Sequence, residues 1–188
     1  MNANRIGNTS YAVIVAALVI GFAVDGLPDA VFRPLFCHLP ARLAAFYYRA
    51  PLAMPELVFN AQGVAVTVTR GCGGAGFFAL CAALLGVRAW QGGDFATGRG
   101  RLRAAAAFAG ALAAAWGLAT AVNAMRIVFI VPVTAAARLL PDAFQAAIHM
   151  AAGMAVFMSA FTLLWVVTER RLKKGEIHER NDRGLCGT

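Results

Sequence analysis

"VTVTRGCGGAGFFALCAALLG", residues 66–86, changes character at its middle. Through Thr69 it alternates apolar and polar, the two-residue period of a strand with one covered face. From Gly73 it turns into an apolar run that continues to Trp90 with Arg88 as its only charge. A helix needs about 20 mostly apolar residues to cross a bilayer, with roughly 17 as the lower limit, so residues 73–90 are long enough. Cys72 stands at the junction, preceded by Arg70 and followed by two glycines, whereas Cys81 lies inside the run, where a buried structural cysteine belongs. The stretch reads as a small strand feeding a membrane helix, with a thiol at its mouth.

The rest of the chain agrees. Its 188 residues are 60% hydrophobic and only 14% charged, with a mean hydropathy of +0.67, whereas globular chains run nearer a quarter charged. The apolar residues come in long blocks, which predicts an all-α polytopic membrane protein. The net charge of +8 does not point to nucleic acid as a partner. Basic residues crowd the ends and one loop, as topology signals do, and no basic face is interleaved with aromatics. The four cysteines (Cys37, Cys72, Cys81, Cys186) form no CxxC pair, so neither a disulfide framework nor a thiol oxidoreductase is indicated. No cofactor or metal is expected, because Cys37, His38, Cys72 and His149 show no ligand spacing.

Four segments are expected to span: residues 11–27, 73–90, 104–126 and 144–168. Arg5 before an apolar core also fits a signal peptide, but no small-x-small cleavage site follows, so a retained anchor is expected. Residues 127–140, "IVFIVPVTAAARLL", are too short to span and contain Pro132. They either prolong the third helix or form a re-entrant or interfacial piece. Eleven of the 17 Lys and Arg fall on one side: Arg5, the loop after the second span, and the tail 169–188. The positive-inside rule then makes both termini cytoplasmic and turns Cys72 outward from the inner (cytoplasmic) membrane. In the outer loop, residues 28–71, "PARLAAFYYRA" reads as a short interfacial helix with Phe46, Tyr47 and Tyr48 as an aromatic belt. "ELVFNAQGVAVTVTRG" reads as a hairpin with Val64, Val66 and Val68 on one face.

With this topology the unusual polar residues fall at one depth. Cys72 opens the second helix, Asn123 and Arg126 lie at the outer end of the third, and His149 lies near the outer end of the fourth. Ionisable groups there are costly, about 2.5–3.5 kcal/mol for a central Arg, so they usually act or pair. The chemistry suits a nucleophile. A helix N-terminus favours thiolate, and Gly73 and Gly74 leave backbone amides open to an oxyanion. His149 can take and return a proton, and Arg126 stays charged. Asn123 shares Arg126's face, and Gln145, one turn before His149, can fix its tautomer. Arg70 stands ready to orient substrate. The plain alternative has an inert thiol, an Arg that snorkels to headgroups and glycines that only let helices approach. A small transporter or assembly subunit, with Arg126 and His149 lining a polar pathway, is the functional rival. A Cys37–Cys72 disulfide would remove the nucleophile.

"RGCGGAGF", "NAMRIVFI" and "HMAAGMAVF" give the order Cys, Asn-x-x-Arg, His, each at the outer end of a membrane helix. This order resembles the exosortase/archaeosortase family over about residues 57–165. The resemblance implies a membrane-embedded cysteine protease/transpeptidase, sortase-like in activity but not in fold. Its partners would be exported proteins carrying a C-terminal motif, transmembrane helix and basic tail, together with membrane lipids. It implies Cys72 as nucleophile, Arg126 as stabiliser and His149 as acid/base. The chain departs from the family pattern where Glu and Ser are common, having Arg70 and Gly73, and it is shorter than the eight-helix members.

Overall fold

A computed structural model describes residues 3–91 and 98–185; residues 92–97 of the expected basic loop, and Cys186, lie outside them. Helix α1 (Ala3–Asp25) ends where Gly26 and Pro28 follow. Pro28, extended at φ −63° and ψ 150°, opens α2 (Asp29–Arg33), which runs through a π-helical turn (Pro34–His38) into α3 (Leu39–Tyr47). Strands β1 (Val58–Ala61) and β2 (Val64–Thr67) come next, then a 3-10 turn (Arg70–Cys72). Three long helices complete the described residues: α4 (Ala75–Gln91), α5 (Gly98–Ala137) and α6 (Asp142–Leu185).

The all-helical class expected from the sequence is found. Among the described residues three helices are long and apolar enough to cross a membrane, over Arg70–Trp90, Arg99–Ala137 and Ala143–Arg170. A fourth qualifies if Tyr11–Asp25 and Asp29–Tyr47, bent by 111°, count as one interrupted span. The interruption thus falls at 26–28. Residues 127–137, one of whose expected forms was a re-entrant piece, instead prolong the third helix straight through Pro132.

Two prolines show how that is possible. Pro132 has no N–H for the carbonyl of Val128 one turn earlier, and the Tyr48 hydroxyl donates to that oxygen at 2.7 Å. In the i+5 pattern of the π turn, Pro40 likewise has no N–H for the Leu35 carbonyl. Trp116 Nε1 donates there at 2.9 Å. An aromatic donor on each partner meets the carbonyl that a proline strands on the other, so the π turn and the last turn of α3 are each bound to α5.

The hairpin turns at Gln62 and Gly63, both at positive φ (51° and 73°), as a two-residue turn matched to strand twist requires. Its register pairs Val58 with Thr67, Phe59 with Val66, Asn60 with Ala65 and Ala61 with Val64. Phe59 and Ala61 are buried with Val68 against Ile127 and Val131 of α5, while Ala65 and Thr67 are exposed. The tip is held at the end of α5, where Arg138 donates to the Gly63 carbonyl.

The core continues down the bundle. Phe77, Cys81 and Ala82 of α4 meet Ala115, Ala119 and Val122 of α5. Beyond them Val13 and Ala17 of α1 meet Ala83 and Leu84, with Phe161 and Trp165 of α6 alongside. At that end Arg88 on α4 pairs with Glu169 on α6 at 2.9 Å. Only 6% of α6's apolar window is buried inside the protein, against 56% for α4. α6 is therefore an apolar helix on the outside of the bundle, as a lipid-solvated helix would be.

Candidate active site at the start of α4

Cys72 is half-buried and sits in the 3-10 turn, three residues ahead of α4 rather than inside its first turn. The turn is built from Thr69, whose carbonyl accepts the Cys72 N–H at 2.9 Å and the Cys37 thiol at 3.7 Å. The Thr69 hydroxyl donates to Cys72 Sγ at 3.7 Å. Sulfur accepts at longer range than oxygen, so this is a directed if weak bond. Cys37 and Cys72 are free thiols. Sequence reasoning missed Thr69, although a hydroxyl three residues before a cysteine is the spacing one such turn needs.

Asn123 fixes this turn to α5. It is fully buried, and its Nδ2 donates to the Cys72 carbonyl at 2.5 Å. Its Oδ1 is buried with no hydrogen-bond partner among the described residues. Gly74 makes the approach possible: it lies at φ +70°, and a Cβ there would stand 3.3 Å from Asn123 Cβ and Cγ.

One turn along α5, Arg126 projects to α6. Its Nε would be 2.6 Å from a Cβ at Gly153, its Cζ lies 5.1 Å from the centroid of Phe157, and among the described residues its buried Nε has no hydrogen-bond partner. His149, Gly153 and Phe157 are spaced by four along α6 and so share one face, with His149 half-buried. Phe157 stacks on Phe77 of α4, centroids 5.1 Å apart and planes 13° apart. The face of α5 carrying Asn123 and Arg126 therefore touches both the cysteine turn and the histidine face of α6. Among the described residues no hydrogen bond joins Cys72 to His149.

Three expectations are corrected. Gly73 is not open to a substrate, because a Cβ there would meet the Phe32 ring at 2.8 Å, and its N–H is held by the Arg70 carbonyl at 2.9 Å. The amides without intrahelical acceptors are those of the first turn of α4, Ala75 to Phe77. Arg70 directs its donors to the corner ahead of α2. It bonds Asp29 Oδ1 (2.6 Å) and the carbonyls of Asp25 (2.5 Å) and Leu27 (2.9 Å), and its Cζ lies 4.3 Å from the centroid of the Phe32 ring. It clamps the corner between α1 and α2. Gln145 gives its Nε2 to the Leu140 carbonyl at 2.8 Å instead of His149, although both line a cavity of about 200 Å³ with Thr134.

A second, more apolar groove of about 370 Å³ opens beside the cysteine turn, between Gly71, Gly74 and Gly76 on one side and Met154, Phe157 and Met158 of α6 on the other. Among the described residues no group of three or more His, Cys, Asp or Glu is placed to hold a metal ion. The chain matches no family model, no curated protein and no solved structure.

Proposed function

We propose that the chain is a membrane cysteine peptidase/transpeptidase of exosortase-like type, acting on exported proteins at the outer face of the inner membrane with both termini cytoplasmic. Cys72 thiolate attacks the carbonyl carbon at the C-terminal sorting signal. The carbon–nitrogen bond breaks, the leaving amine takes a proton from His149, and a thioester to Cys72 forms. An amine, a lipid headgroup or water then attacks the thioester, gives its proton to His149 and releases Cys72. Arg126 balances the negative charge that gathers at the thiolate and at the tetrahedral oxygen, and Asn123 holds the turn that carries the nucleophile.

The observation that carries this reading is the single face of α5 on which Asn123 grips the Cys72 carbonyl while Arg126 lies against the helix of His149. The thiol, the guanidinium and the imidazole come from three separate segments, and the buried Arg126 Nε has no hydrogen-bond partner among the described residues. The test compares cells carrying the wild-type chain with cells carrying Cys72→Ala, by mass spectrometry of exported proteins. The reading expects proteins with a C-terminal apolar segment and basic end to accumulate uncut in the variant, and again in Arg126→Ala and His149→Ala. Unchanged processing in all three would end it.

The transporter or assembly-subunit reading draws on the polar cavity of Thr134, Gln145 and His149. It expects Cys72→Ala to be tolerated while changes at Arg126 and His149 are not.

A further inference from the structure

The parity of the hairpin decides which backbone groups face outward. A two-residue turn makes Ala61 and Val64 a hydrogen-bonded pair, and the pairs then alternate. Phe59 with Val66 is bonded, whereas Asn60 with Ala65 and Val58 with Thr67 are not. Two bonds outside the strands fix the same parity: Val68 N–H donates to the Leu57 carbonyl at 3.1 Å, and Val58 exchanges both of its backbone bonds with Ala53, at 2.8 and 3.3 Å, on the far edge of β1. The N–H and C=O of Ala65 and Thr67 therefore point away from β1. Both residues are exposed, and among the described residues none of these four groups has a recorded partner. One edge of the hairpin is partly covered by Ala53; the other is open, and it runs straight into the turn that carries Cys72.

We infer that the open edge of β2 is the docking strand for the extended segment of the substrate that precedes its membrane helix, added parallel to β2. This inference rests on the peptidase reading above. Unpaired N–H and C=O groups alternating at an edge, otherwise hydrated, are a template for an extended backbone. The direction follows from the ends of the strand. β2 starts at a tip held by Arg138 at the end of α5 and leads to Cys72, whose carbonyl is held by Asn123 fifteen residues earlier on that helix. A substrate must come from outside, pass the thiol and enter the membrane, which is the course β2 itself takes. Main-chain pairing is indifferent to side chains, so the edge selects for an extended, unstructured approach to the cut. The motif is left to the groove and the cysteine turn.

Proline separates this role from the fold. Ala65→Pro and Thr67→Pro each remove an outward N–H and leave the ladder to β1 intact. The full chain carrying both changes is compared in its native membranes with the wild type, with Asn60→Ala on the exposed face of β1 and with Cys72→Ala. The readout is the ratio of uncut to cut forms of those exported proteins that accumulate in Cys72→Ala. The expected result is processing slowed at least tenfold by the double proline variant. Asn60→Ala should stay near wild type, and Cys72 should label from outside as fast as in the wild type. Wild-type processing by the proline variant, beside a complete block in Cys72→Ala, overturns the docking strand and leaves the peptidase reading standing. Unchanged processing in Cys72→Ala removes both.

Should the proline variant not fold, benzoylphenylalanine placed at Ala65 or at Thr67 in the Cys72→Ala chain gives the same answer. The photoadduct should map to residues just before the apolar segment of an accumulated precursor, and the Thr67 adduct about two residues closer to that segment than the Ala65 adduct. No adduct, or one within the apolar segment, overturns the docking strand, and the reverse order of adducts overturns the parallel direction.

Discussion

The Tyr48 hydroxyl donates at 2.7 Å to the Val128 carbonyl, the oxygen that Pro132 leaves without its helical partner. A buried carbonyl left bare in an apolar bundle costs several kcal/mol in principle. The tyrosine, eighty residues away in sequence, thus keeps α5 whole at the point where composition alone would break it.

Removing that hydroxyl tests the account directly. Tyr48→Phe is expected to lower the stability of the detergent-solubilised protein by about 1 kcal/mol. In a Pro132→Ala background, residue 132 supplies its own N–H to Val128 and the same change should cost next to nothing. Equal costs in the two backgrounds, measured by denaturant unfolding, would show that the two residues are not coupled in this way.

Gly153 should admit no side chain. A methyl there would stand 2.6 Å from Arg126 Nε, so Gly153→Ala must push the guanidinium off α6. Processing of exported substrates is expected to fall at least tenfold with a stability change of less than about 1 kcal/mol. Gly110→Ala and Gly117→Ala, where nothing lies within 4 Å, are the controls; each should be neutral or stabilising by up to about 1 kcal/mol. Wild-type activity in Gly153→Ala would separate Arg126's position from function.

Gly74 and Asn123 should behave as a pair. Gly74→Ala forces a side chain into a left-handed conformation, at about 1–2 kcal/mol, and into Asn123 as well. Asn123→Ala strips the Cys72 carbonyl of its donor, at about 1–3 kcal/mol. Since both act by freeing one turn, the double variant should cost clearly less than the sum, and strict additivity in unfolding would refute the shared cause.

Thr69 should tune the reactivity of the thiol. Without its hydroxyl, Cys72 Sγ loses the donor at 3.7 Å. Thr69→Val is therefore expected to slow alkylation of Cys72 by a membrane-impermeant maleimide severalfold at neutral pH, with Thr69→Ser close to wild type. The measurement belongs on a background lacking Cys37, Cys81 and Cys186. Equal rates in Val and Ser variants would make the contact incidental.

The parts of the fold that were legible in sequence are those governed by period and composition. The apolar blocks of α1, α4, α5 and α6 and the alternation through Val64, Val66 and Val68 were plain. The common level expected for Cys72 and Asn123 is met in the bond between them. What was not legible depends on partners distant in sequence. Pro132 left open whether the third helix continues, because the Tyr48 bond that tolerates it cannot be inferred from residues 127–140. Gly73 read as open because only the fold brings Phe32 to within 2.8 Å of a Cβ there. Arg70 read as a substrate ligand because its position beside Cys72 is local, whereas the carbonyls of Asp25 and Leu27 that claim it come from another helix. Gln145 was misread for the opposite reason: its partner, Leu140, is too close in sequence to look like a choice.

The hairpin and the upper part of α5 are fastened at two heights, Gly63 to Arg138 and Cys72 to Asn123. Helix α5 is therefore a ruler that sets how far the thiol hangs below the tip. One helical turn lengthens the ruler by about 5.4 Å, and two strand residues lengthen the hanging limb by about 6.6 Å. Two is also the increment that keeps the buried valines on their own side. Length changes in these two stretches must then come in step, one turn above Asn123 for each pair of residues between Gly63 and Cys72. A relative that has gained one without the other would have its nucleophile at a different depth.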